Sequence, residues 1–78
     1  MTKLETMKCE KILNEAIRNA ENANEEFYKA GKCYGTTERH ILETKAWNHR
    51  GYAEGINQAL AVIGFKHERM SELGKLIN

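Results

Sequence analysis

Residues 9–34 read CEKILNEAIRNAENANEEFYKAGKCY, and their apolar positions step by alternating fours and threes: Cys9, Leu13, Ala16, Ala20, Ala23, Phe27, Ala30 and Tyr34. This is the seam spacing of packed helices. Residues 42–63, LETKAWNHRGYAEGINQALAVI, repeat the pattern at Leu42, Ala46, His49, Ala53, Ile56, Leu60 and Ile63. Both stripes place alanine where leucine is usual, so two helix backbones can approach closely. The expected fold is all-α: a tight antiparallel helical hairpin with an alanine-rich seam.

The segments around the stripes set the boundaries. The first helix is predicted over about 3–30, with Gly31 as its stop and Lys29 and Lys32 at its carbonyl end. Residues 31–36 form the turn, and Thr36 or Thr37 caps a second helix over about 37–63. Gly51 and Gly55 each cost about 1 kcal/mol inside that helix. The stripe nevertheless runs through them without skipping a position, so one continuous helix is the simpler reading. Gly64 ends it, and a short third helix over about 67–77 carries Met70, Leu73 and Ile77 on one edge.

Pairing the stripes across a turn near residue 34 sets Phe27 by Leu42, Ala23 by Ala46, Ala20 by His49, Ala16 by Ala53, Leu13 by Ile56 and Cys9 by Leu60. The flanking positions then bring Glu26 beside Lys45, Asn19 beside Tyr52 and Ile12 beside Ala59.

Composition agrees with a helical chain. Its 78 residues contain no proline and no aspartate, and all 11 acids are glutamate. Ser71 is the sole serine and Val62 the sole valine, which leaves little for a β-sheet. The length allows one domain, residues 1–78, near the lower limit for a self-sufficient core. Alanine buries little apolar area, so a homodimeric helical bundle is the expected assembly. The formal net charge is +1 with the signs interspersed, which disfavours a nucleic-acid or membrane surface. The first eight residues have no signal-peptide core, and the longest apolar run, Ala59 to Ile63, is too short to span a bilayer. A cytoplasmic protein with reduced thiols is expected. Along a continuous helix Cys9 and Cys33 stand roughly 36 Å apart at ~1.5 Å per residue, against ~6 Å for a disulfide.

Chemical motifs are sparse. There is no CxxC, HxxxH or ExxH, so no metal site and no cofactor are expected. Cys9 lies in an apolar stripe with no base beside it, and no catalytic constellation is legible. His49, in the seam, reads as a core histidine satisfied by Asn19 or a backbone carbonyl.

Two surfaces stand out. Trp47 falls on the side of the second helix away from the seam, surrounded at helical spacing by His40, Glu43, Thr44, Arg50, Gly51 and Glu54. Tryptophan and arginine dominate binding hot spots, and glycine lets another backbone come close. Trp47, Arg50 and Gly51, with Glu43, His40 and Glu54, are the expected partner-binding residues. At the turn, Lys32, Tyr34, Arg39 and His40 cluster near a helix N-terminus, where an anion can dock. The string GKCYGTT there fails the phosphate-loop pattern GxxxxGK[ST].

The leading expectation is a small non-enzymatic interaction protein that binds a protein partner and regulates or inhibits it. The alternatives are a binder or sponge for an anionic ligand such as a nucleotide, and a helical nucleic-acid-binding regulator. In composition the chain resembles small helical accessory proteins of bacterial phages and mobile elements. That resemblance rests on style and on no motif.

Overall fold

The alanines of both stripes are buried where the first two helices pack. In the computed structural model, which describes residues 1–78, α1 (Lys3–Lys32) and α2 (Thr36–Val62) form an antiparallel hairpin, and α3 (Arg69–Ile77) packs against both. Ala16, Ala20 and Ala23 of α1 and Ala46 and Ala53 of α2 are all but inaccessible. Cys9, Leu13 and Leu60 close the seam at its open end. No helix is long and apolar enough to cross a membrane.

Local chemistry explains each helix end. Thr2 caps α1 through a capping box: its hydroxyl accepts from the Glu5 amide at 3.1 Å, and the Glu5 carboxylate accepts from the Thr2 amide at 3.1 Å. Gly31 does not stop α1, which continues one residue further and is capped at Cys33. No residue of this turn takes a positive φ, so the left-handed freedom of Gly31 is not used. Neither Thr36 nor Thr37 caps α2; Gly35 holds that place without a side-chain bond. Arg39 closes the turn instead, its Nε donating to the Ala30 carbonyl at 3.1 Å.

The end of α2 is a Schellman motif. Gly64 takes φ 77°, the Phe65 amide donates to Leu60 O at 2.9 Å, and the Gly64 amide donates to Ala61 O at 3.1 Å. The motif turns Phe65 back onto the core with Leu60. Phe65 then stacks on His67, whose Nδ1 accepts from the Arg69 amide and so supplies the start of α3. The helix α3 begins at Arg69 rather than at residue 67, and Glu68 stands at its N-cap without a side-chain bond of its own.

Leu73 and Ile77 bury α3 against the flank of α1 that presents Ile17. Two polar clasps fix its direction. Arg69 Nη1 donates to Asn14 Oδ1 at 2.6 Å, and Asn24 Nδ2 donates to Leu76 O at 3.1 Å. The nine-residue α3 thus runs parallel to α1 and stops level with Asn24. The rest of the hairpin is two helices thick, and the molecule measures 50 × 17 × 16 Å.

The stripes overreach at both ends. Tyr34 is wholly exposed because the helix has ended before it, and Ile63 is exposed because it lies at the α2 cap. The flanking contacts also differ from the expected register. Glu26 bonds to His49, one turn beyond Lys45, and the Asn19 amide bonds back to Glu15 O within α1. Tyr52 reaches the Glu15 carboxylate at 3.4 Å.

Two outcomes are expected. Ala20→Leu forces side chains into a seam with no room, and the thermal midpoint should fall by an amount equivalent to ~1–3 kcal/mol. The Thr2 hydroxyl and amide bonds hold the Glu5 carboxyl below its usual range. Its contribution to the cap is therefore complete above the ordinary carboxylate pKa and is lost as pH falls through the lowered folded value. Protection factors of the amides in the first turn of α1, corrected for the intrinsic exchange rate, should fall at acid pH, and Glu5→Ala should remove that dependence.

Candidate functional site

Trp47 follows the seam residue Ala46, so a helical step of about 100° carries it onto the flank of α2 rather than its back. From there the indole reaches across the hairpin. Its ring meets Phe27 edge-on, with centroids 5.1 Å apart and planes at 82°. The Arg50 guanidinium lies 5.7 Å from the indole centroid, and Arg50 Nε donates to Glu54 Oε1 at 2.8 Å. The ring is still 60% exposed, and α3 does not cover it. Glu43 is half-buried and His40 exposed, one and two turns before Trp47. A Cβ built on Gly51 would meet nothing within 4 Å. The expected partner-binding residues therefore lie along one flank, with Trp47, Arg50 and Glu54 joined by direct contacts.

A braced aromatic ring suits binding. The edge-on contact with Phe27 restricts the indole before any partner arrives, which reduces the entropy lost on association. The arginine face and its carboxylate add a directional polar rim.

The other flank is polar and internally matched. Glu15 and Glu26 stand about three helical turns apart on α1, hence on one line. Glu15 meets Tyr52 and Glu26 meets His49. His49 Nδ1 lies 2.6 Å from Glu26 Oε1, and since a carboxylate only accepts, Nδ1 carries the proton. The seam histidine is thus satisfied across the hairpin by an acid, not by Asn19. Sequence spacing set Glu26 beside Lys45, and the pair was missed because Glu26 reaches one turn further along α2 to His49.

At the turn, Lys32, Cys33, Tyr34 and Arg39 surround an open depression of ≈ 520 Å³ with Gly31. His40 does not line it. Its cations are partly engaged already: Arg39 closes the turn, and Lys32 Nζ sits 4.7 Å over the Tyr28 ring. Cys9 is buried and Cys33 is partly exposed, both as free thiols. No three histidine, cysteine or glutamate side chains gather closely enough to hold a metal ion. Titration is displaced at Glu5, in the α1 cap, and at Arg69 and Glu72 on α3. The hydrogen-bonded contact between the last two raises Arg69 and lowers Glu72. None of these groups belongs to the Trp47 flank.

Comparison with protein-family models, curated proteins and solved structures finds no match to this chain.

The cross-hairpin pair gives a test of side-chain register. A double-mutant cycle on Glu26→Ala and His49→Ala should show a coupling of about 1 kcal/mol in urea unfolding. The same cycle on Glu26→Ala and Lys45→Ala should show almost none.

Proposed function

We propose that this chain is a small non-enzymatic interaction protein that binds a protein partner through the Trp47 flank of α2 and regulates or inhibits it. One observation carries the reading: a large aromatic ring left mostly in solvent, yet held in place by Phe27 and Arg50. A solvated flank has no need of tryptophan, whereas an interface anchor uses both its area and its restricted motion. Arg50 and Gly51 lie at the anchor, and Glu43, His40 and Glu54 form its polar rim. The assembly we propose is a homodimer, and a cytoplasmic setting fits the two free thiols. The compositional resemblance to phage and mobile-element accessory proteins fits a role as a regulator acting by contact.

Affinity capture with the wild-type chain and with Trp47→Ala tests this reading. The substitution should weaken binding by ~2 kcal/mol or more. Because the ring touches Phe27, it should also lower stability by about 0.5–1.5 kcal/mol, leaving the helices intact by circular dichroism. Arg50→Ala should weaken the same interaction less. Unchanged binding by Trp47→Ala would remove the flank as the site. A melting point raised by nucleotides would favour the depression beside Lys32 and Arg39. Binding to nucleic acid with a steep salt dependence would favour the nucleic-acid reading.

A further inference from the structure

We infer that the protein seated on the Trp47 flank is a second copy of this chain, its α2 laid antiparallel on the first about a two-fold axis at Trp47. The inference rests on reading the flank as a protein-binding surface, and it names the occupant and its register.

Area is the first argument. A folded monomer of 9.0 kDa exposes roughly 4,850 Å² by the usual scaling with mass. This chain exposes 5613 Å². The excess, roughly 760 Å², is close to the ~800 Å² that each partner buries in a standard stable interface. Its structural origin is plain: α3 is short and stops level with Asn24, so much of the 50 Å hairpin has no third helix beside it.

The order of groups along the flank is the second argument, and it fixes the orientation. His40, Glu43, Trp47, Arg50 and Glu54 read donor, acceptor, ring, donor, acceptor. Reversed about Trp47, every donor falls on an acceptor. His40 comes level with the partner's Glu54, and Arg50 lies within one residue's rise of the partner's Glu43. Trp47 meets its own symmetry copy, as an isologous interface requires. A parallel pairing would instead set Glu43 on Glu43 and Arg50 on Arg50, like on like. Only the antiparallel arrangement is self-complementary.

Gly51 completes the fit. In this register it stands level with the partner's Glu43. Glycine weakens a helix interior, and within the protomer no neighbour requires its lack of a side chain. Across the two-fold axis, the missing Cβ leaves room for the facing helix.

The test uses the full chain. Sedimentation equilibrium should show a dimer at micromolar concentration. Trp47→Ala should raise its dissociation constant about 30-fold. Arg50→Glu, outside the core and checked for helicity, should weaken the dimer as well by opposing the partner's Glu43. In a Cys33→Ser background, Glu43→Cys combined with Gly51→Cys should cross-link on oxidation. Glu43→Cys alone should not, because its two copies lie about 12 Å apart along the axis, beyond disulfide reach. A monomer at that concentration, a dimer indifferent to both substitutions, or efficient cross-linking by Glu43→Cys alone would overturn the inference. If the chain is monomeric while Trp47→Ala still abolishes capture of another protein, the binding-face reading stands and the self-pairing falls. If Trp47→Ala alters neither dimer nor capture, both fall.

Discussion

Burial of alanines between the two long helices is the constraint from which the rest of the structure follows. Ala16, Ala20 and Ala23 on α1 and Ala46 and Ala53 on α2 are almost wholly hidden where the two long helices pack. Such a seam fills space well but removes little apolar area from water. The hairpin therefore depends on what is attached at its open end. Leu13, Ile17, Leu60, Phe65, Leu73 and Ile77 supply the large buried side chains there. Towards the turn, the aromatic contact of Phe27 with Trp47 is the main large one, and it remains half in solvent.

Much of this was legible because a seam of period 3.5 survives in sequence whatever residues fill it. The buried alanines and the passage of α2 through Gly51 and Gly55 follow from that spacing, and the stop follows from Gly64, which takes a positive φ. Tyr34 and Ile63 show its limit, since periodicity continues on paper after the helix has ended in space. Ile17 belongs to neither stripe and was not among the expected seam residues; it is buried in the cluster that α3 joins through Leu73 and Ile77. Phe65 carried less signal. Its burial depends on the backbone reversal at Gly64, which turns the chain back over Leu60.

The candidate site divides the same way. The flank of Trp47, Arg50 and Glu54 is a one-helix pattern, so spacing alone collects it. The register set Phe27 beside Leu42 and did not supply its edge-on contact with Trp47, which depends on where the indole side chain turns. Glu26 with His49 is the same case, and the expected Lys45 partner was displaced by one turn. At the turn, a cluster of cations looked available for an anion. In space Arg39 serves the α1 carbonyl end, the sort of backbone obligation that a list of charges does not reveal.

The three-residue link between the long helices also sets an order of assembly. Closing a short loop loses little chain entropy, whereas bringing Cys9 to the level of Leu60 directly would lose far more. Contact between the helices therefore costs least chain entropy beside Gly35, and each turn already paired shortens the loop that the next must close. The site that α3 occupies, with Leu13, Ile17 and Leu60, is complete only where the far end of the hairpin is paired. The largest buried side chains of the molecule therefore lock a structure whose course was already chosen by its smallest.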